Sequence, residues 1–429
     1  MSNETSQSSS QRSADIVVSA PGKVILFGEH SVVYGRLALA ASLGLRTRVA
    51  ISSINHPNTL EIECPNLTSK LTFNLETLNK YLLSPTLPTY LAPAEFSWES
   101  PDVVHHETLL DRVTEFLTDV SISNTSNLKP SEIVTVKSMM YLIAGILGSV
   151  NVELKPAAIV VSTDLEIGAG TGSSASFLVS ISAALVQYIK LNKSSGNISK
   201  TGYRECNWND SDPKRFSTRE LDIICNWAFC AEKIVHGTPS GLDNSICTYG
   251  SIVEFRKGLQ PKLLGIECPF KILLINTKVA RETKALVAQV AQRLERFPDL
   301  VKNILNAMED VAYIGLQNIM NVSRSHGDSK ATRDHYDTLA TLCSMNHHLL
   351  SALGVSHPTL DDIVNTLTRH GLHGKLTGAG GGGYAIALLP PLEEIGRGLE
   401  EAMNELASKG FGVQMTDLGG EGVRIDSDS

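Results

Sequence analysis

Cysteine is sparse and its spacing forms no recurring pattern. Seven residues in 429 (Cys64, Cys206, Cys225, Cys230, Cys247, Cys268 and Cys343) include no CxxC pair. That argues against a disulfide framework or a structural zinc site and fits a reduced, cytoplasmic setting. A basic excess is also missing. Lys and Arg total 37 against 45 Asp and Glu, a formal net charge of -8. A general nucleic-acid binder would show a basic face, and here any anionic ligand must instead be met by a local positive site. The longest apolar run, Met139 to Val150, is about 12 residues, too short to span a bilayer, and reads as a buried helix. Residues 1–14 are Ser-rich and lack an apolar stretch. With Glu4 and only Arg12 they suit neither a secretory signal nor a transit peptide, and a disordered tail is expected. There is no GxxxxGK[ST] and no HRD or DFG, which excludes a P-loop ATPase and a protein kinase.

What is present is a mixture of strand and helix patterns in both halves, without internal repeats. Ile16 to Ser19 reads as a strand running into a turn at Ala20-Pro-Gly, and Thr47 to Ile54 as a second strand. Residues 78–101, rich in Pro and small residues, are expected to wrap the surface, and 192–212 to form a polar insertion. Ala158 to Thr163 is a continuous apolar run, as in a buried strand, and feeds a Gly-rich turn and a helix from Ser173 to Ile189. Thr218 to Val235 is helical with Ser217 or Thr218 as N-cap. A boundary near Cys268 separates this half from a second, with a strand at Phe270–Asn276, four long helical patterns and a strand at Tyr384–Leu389. A last strand near Gly410 to Met415 could pack back on either half.

Glycine clusters carry the chemistry. The first, Pro21-Gly-Lys-Val-Ile-Leu-Phe-Gly-Glu-His-Ser-Val-Val-Tyr-Gly, gathers Lys23, Glu29 and His30; alone it could be a hairpin with a solvated lysine. The second, Leu165-Glu-Ile-Gly-Ala-Gly-Thr-Gly-Ser-Ser, sits between strand and helix. Alternating glycines, two hydroxyls and the N–H groups of a helix start suit phosphate, although a plain strand-to-helix turn would share part of the pattern. The third, Lys375-Leu-Thr-Gly-Ala-Gly-Gly-Gly-Gly, meets GxGxxG only formally, with no βαβ frame. A fourth segment, Glu232-Lys-Ile-Val-His-Gly-Thr-Pro-Ser-Gly-Leu-Asp-Asn, supplies two carboxylates on either side of a turn. Beside a phosphate loop, carboxylate and hydroxyl oxygens suit Mg²⁺, a second carboxylate on a rigid loop could take a hydroxyl proton, and Lys23 could stabilise the charge that develops.

Together these segments resemble the GHMP kinase superfamily, and within it most closely the eukaryotic mevalonate kinase branch, over roughly residues 15–425. Asn276-Thr-Lys-Val-Ala-Arg-Glu-Thr and Gly354-Val-Ser-His-Pro add to the likeness. Galactokinases resemble Pro-Gly-Arg in the first motif, so Lys23 sets this chain apart. Two departures stand out. The phosphate loop of the family usually opens with Pro where this chain has Glu166, whose charge could weaken ATP binding if it faced the phosphates. Tyr384 stands where a small residue usually follows the last glycine run.

The resemblance implies an α+β, two-domain fold: residues 15–268 as an N-terminal domain like ribosomal protein S5 domain 2, and 269–425 as a ferredoxin-like C-terminal domain, with ATP in the cleft. It implies ATP- and Mg²⁺-dependent phosphorylation of the primary hydroxyl of mevalonate, on the way to isoprenoid and sterol precursors. By motif position Asp243 resembles the catalytic base and Lys23 its cationic partner. Gly168, Ala169, Gly170, Thr171, Gly172, Ser173 and Ser174 would hold ATP, and Ser174 with Glu232 the metal. Glu29, His30, Ser240, Arg281, Thr283 and Thr377 resemble substrate-side residues, with Arg281 suited to a carboxylate through bidentate bonding. A homodimer and feedback inhibition by isoprenoid diphosphates follow from the same resemblance, as does the absence of nucleic-acid and membrane partners. The alternatives are another small-molecule kinase of the superfamily, such as phosphomevalonate kinase, or a silent ligand-sensing paralogue. The latter should have lost Asp243, Lys23 or Glu232.

Overall fold

The computed structural model describes residues 15–83, 103–119, 128–150, 152–194, 212–266, 270–324, 329–390 and 396–427. The tail at 1–14, most of 78–101 and of the 192–212 insertion, and the boundary at Cys268 lie outside the described residues.

Twelve strands form the sheet system: β1 (Ile16–Phe27), β2 (Ala38–Ser53), β3 (Thr59–Glu63), β4 (Leu71–Asn74), β5 (Ala157–Thr163), β6 (Ile252–Phe255), β7 (Lys262–Leu263), β8 (Phe270–Asn276), β9 (Gly374–Thr377), β10 (Tyr384–Leu389), β11 (Gly412–Leu418) and β12 (Arg424–Ile425). The path runs β4-β3-β5-β2-β11-β8-β10-β9, with β1 beside β2 and β12, and β6 beside β2 and β7. β3 and β5 run parallel; the other described pairs are antiparallel. The second half's strands join the first half's sheet where β12 pairs with β1 and where β11 meets β2 at Leu418 and Leu43. There a Cβ on Gly44 would lie 2.7 Å from Thr416 Oγ1, so a side chain would pry the sheets apart.

Helices cover the sheet faces. Those that position the site are α1 (Ser173–Ser194), α2 (Thr218–His236), α3 (Leu242–Tyr249), α4 (Thr283–Arg296) and α5 (Ser329–Ala352). α2 starts as the sequence predicts: Ser217 accepts from Glu220 N–H while Glu220 accepts from Ser217 N–H, a reciprocal capping box. Pro130–Leu147 and Ser173–Asn192 are long and apolar enough to cross a bilayer, longer than the apolar run seen in the sequence, but 72% and 89% of them are buried in the fold. They are core helices, packing Met139 and Val179 into one cluster with Trp227. A second cluster straddles the halves, joining Val24, Leu39 and Leu43 to Ile272, Ile386 and Leu418.

Two sequence expectations need correcting. The chain does not turn at Pro21-Gly22: β1 runs through it, with a register shift between Pro21 and Lys23. Proline, lacking a donor, is tolerated at such a bulge. A Cβ on Gly22 would lie 2.6 Å from the Thr171 carbonyl, so the glycine lets the phosphate-type loop lie on the strand. Asp243 sits not on a loop but in the first turn of α3, whose N-cap is Gly241 in the left-handed region.

The C-terminal segment returns to both halves, β11 pairing along β8 and β12 pairing with β1. Arg46, 6% exposed, fastens it. Its guanidinium donates to Ser19 Oγ and O, both at 2.8 Å, and to the carbonyls of Gly422 at 2.6 Å and Glu421 at 3.2 Å. Burial pulls its pKa down to about 10. Removing the donor strands several buried acceptors. Arg46→Ala is therefore expected to lose about 3 kcal/mol in urea unfolding; a loss below about 1 kcal/mol would remove this role.

Candidate active site

Three segments converge on Lys23. The Lys23 backbone N–H donates to the Thr171 carbonyl at 2.8 Å, pinning the phosphate-type loop to β1. The side chain crosses that loop, since a Cβ on Gly172 would lie 2.7 Å from Lys23 Cγ. It then reaches Asp243, with Nζ 3.1 Å from Oδ1. The pair is unevenly exposed, Lys23 at 11% and Asp243 at 31%, so the carboxylate opens to the cleft.

Gly168, Gly170 and Gly172 all take positive φ, 79°, 84° and 77°. The alternation read from the sequence is thus a backbone requirement. Ser173 and Ser174 open α1 and are half-buried, and Ala169 packs against the inter-half cluster. The Thr171 hydroxyl is buried and lacks a partner.

Glu232 lies in the last turn of α2, 4% exposed. Its Oε2 is buried without a hydrogen-bond partner. Burial first, then the Asp243 carboxylate, push its pKa up to about 8, against the opposing pull of Lys23. An orphaned carboxylate oxygen beside a second carboxylate fits a divalent cation. Among the described residues no three His, Cys, Asp or Glu side chains gather to hold a metal by themselves.

Arg281 lies between the phosphate-type loop and the third glycine cluster. A Cβ on Gly170 would fall 1.3 Å from Arg281 Nη2, and one on Gly378 2.6 Å from Nη1. Both glycines are seats for the guanidinium. Nη1 reaches the Thr377 carbonyl at 3.5 Å. Burial lowers the Arg281 pKa and Asp243 raises it, so the two side chains share one electrostatic field. Lys278, the competing cation in the sequence, is exposed.

The remaining substrate-side candidates separate. His30, at φ 57°, is 6% exposed; its Nε2–H donates to the Ala379 carbonyl at 2.9 Å, and burial lowers its pKa. Thr377 donates to the Ile25 carbonyl at 2.8 Å, tying β9 to β1. Glu29 is enclosed: one carboxylate oxygen bonds Lys375 and the other accepts from Asn346 at 2.9 Å, leaving no oxygen free for a ligand. Burial pushes its pKa up, opposed by Lys375. Thr283 is exposed at the start of α4. Ser240 lines a cavity of about 600 Å³ with Phe229, Tyr249 and Leu259, and its Oγ accepts from Leu242 N–H at 3.3 Å. Sequence reasoning gave Lys375 and Asn346 no role. Lys375 lies in a fully buried four-residue strand, and a lysine there demands a buried acid.

The family model described as "GHMP kinases C terminal" matches residues 330–408, and the one described as "Galactokinase galactose-binding signature" matches 7–53. The mevalonate kinase of Bos taurus is 36% identical over 416 residues, covering 96% of this chain and 94% of its own length. That of Homo sapiens is 35% identical over 414 residues, covering 96% and 95%. The chain belongs to the mevalonate kinase family. Its family fold is visible in the structure of the Methanococcus jannaschii mevalonate kinase, which superposes with a TM-score of 0.62 at 21% identity over 97% of this chain and 100% of that one. The two-domain GHMP kinase architecture expected from the motifs is the observed one. As a member of this kinase family the chain is an ATP-using small-molecule kinase.

A carboxylate whose pKa is raised by folding holds a proton that the unfolded chain has released. Stability therefore falls as pH rises from the ordinary Glu range through the folded value of about 8. Glu232→Gln removes that dependence. Its Tm relative to the unaltered chain is expected to rise between pH 5 and pH 8 while kinase activity is lost. A Tm difference that stays flat with pH, or falls, contradicts this.

Proposed function

We propose that this chain transfers the γ-phosphoryl of ATP to the primary hydroxyl of mevalonate, giving 5-phosphomevalonate and ADP. The observation that carries the reading is the Lys23–Asp243 pair, 3.1 Å apart and held beside the glycine loop. Asp243 accepts the hydroxyl proton at a carboxylate oxygen. Lys23 stabilises the developing alkoxide and the transferring phosphoryl, in an in-line displacement that calls mainly for positioning and charge. The loop from Gly168 to Ser174 receives the ATP phosphates at the start of α1. Ser174 and Glu232 would hold Mg²⁺, which when bound neutralises phosphate charge. Arg281, charged and half-buried next to this centre, takes the substrate carboxylate. The full-length likeness to curated mevalonate kinases supports mevalonate over other hydroxyl acceptors.

The direct test is ADP release with mevalonate, phosphomevalonate, galactose and homoserine offered separately; turnover is expected with mevalonate. Asp243→Asn cannot take the proton and is expected to lower kcat by more than about 10³-fold with ATP binding retained. Near-normal kcat in that variant would refute the base assignment. Arg281→Lys replaces a planar fork by a point charge. It is expected to raise KM for mevalonate with little change in KM for ATP; the reverse pattern, or no change in either, would reassign the carboxylate site.

A further inference from the structure

The two departures from the family pattern, Glu166 and Tyr384, touch each other. The Tyr384 hydroxyl donates to Glu166 Oε2 at 3.3 Å. Asn276, directly opposite Tyr384 in the β8–β10 ladder, donates its amide Nδ2–H to the same oxygen. Asn276 is itself fixed, since its Oδ1 accepts from Lys278 N–H at 2.8 Å. The Glu166 carboxylate thus faces the end of the C-terminal sheet. Burial, and then Glu166, push the Tyr384 phenol up, so it stays protonated and donates.

The position of Glu166 matters more than its charge. Leu165 before it is 3% exposed and belongs to the same core cluster as Tyr384, whereas Ile167 after it is 52% exposed. Glu166 is therefore the last anchored residue before the glycine loop leaves the core. Past it, the loop approaches the same sheet end again, as a Cβ on Gly383 would lie 3.3 Å from the Ala169 carbonyl. A proline at 166 would stiffen this exit by fixing φ. Without one, three alternating glycines follow a residue whose backbone is free, and the entropy of ordering that loop around phosphate grows.

We propose that Glu166, Tyr384 and Asn276 form a tether across the two halves that positions the phosphate loop for ATP, in place of the proline. Glu166 and Tyr384 are positioning residues for the nucleotide, not for mevalonate. The inference rests on the ATP-binding reading of the loop given above.

The test is steady-state kinetics of Tyr384→Phe, Glu166→Ala and the double variant, with ATP and mevalonate varied separately. Tyr384→Phe keeps the ring in the core, and Glu166 is exposed, so both variants retain the fold, checked by Tm. Each is expected to raise KM for ATP by about three- to tenfold, the net worth of one solvent-accessible hydrogen bond. KM for mevalonate is expected to change less, and the double variant to be no more than about twofold worse than the worse single one. If Glu166 instead repels phosphate, Glu166→Ala lowers KM for ATP, which overturns the tether. An unchanged KM for ATP in Tyr384→Phe, or an equal rise in both KM values, overturns it too. Should the unaltered chain release no ADP with mevalonate, the functional reading fails on its own. The tether is then judged by calorimetric ATP affinity in the same variants: a weakening of similar size supports it, and equal affinity or no ATP binding overturns it.

Discussion

The ion pair of Glu29 and Lys375 is the constraint from which the cleft is built. Both side chains are 0% exposed, one following β1 in the first half, the other within β9 in the second. Burying two charges costs several kcal/mol each by general estimates, repaid only by close pairing and further bonds. Here Asn346 and the Leu376 carbonyl supply those bonds. The pairing can be satisfied in one relative placement of the halves. His30 to Ala379 and Thr377 to Ile25 repeat the same connection nearby. Fixing β1 against β9 in this way places Lys23 and the third glycine cluster on opposite walls of one cleft, with Arg281 between them.

Much of this was legible in the sequence, for definable reasons. Periodicity marked the helix from Thr218, with Ser217 or Thr218 expected as its N-cap, because helix starts are local chemistry. The alternating glycines announced a loop with positive φ, and the resemblance of the motifs implied that Lys23, Asp243 and Glu232 work together. What was not legible depended on contacts made across hundreds of residues. Glu29 sits in the same motif as Lys23 yet points into the core, and only the position of Lys375, 346 residues away, settles which way it faces. Ser240 shares a motif with Asp243, yet the cavity it lines includes neither Asp243 nor Lys23. Leu242–Tyr249 escaped notice because eight residues opening after Gly-Pro-Ser-Gly carry too little periodicity to outweigh the turn signals. The strand through Pro21-Gly22 was missed because proline and glycine usually end strands; here the bulge tolerates one and the neighbouring loop requires the other.

The site itself is electrostatically uncomfortable. Two carboxylates and one lysine share a half-enclosed space, and an oxygen of Glu232 has nothing to bond. Such an arrangement lowers the stability of the empty protein and is retained where ligands complete it. The discomfort is confined. Around it the core clusters are apolar and closed, and His30, one of four non-glycine residues with positive φ among the described residues, is held by the hydrogen bond it donates to the opposite half.

The closing strand has a consequence for how the chain is made. Arg46 leaves the ribosome early, yet two of the carbonyls that satisfy its guanidinium belong to residues 421 and 422, and β1 meets β12 only at residues 424 and 425. During vectorial synthesis the first half therefore carries a buried-type cation with only its Ser19 acceptors in place for most of translation. The nascent N-terminal half cannot close as an independent unit, and the two halves should cross their folding barrier together after release. A premature stop in the final ten residues would remove few atoms from the cleft but leave that early half without its last strand, making such a product a substrate for quality control and not a weakened enzyme.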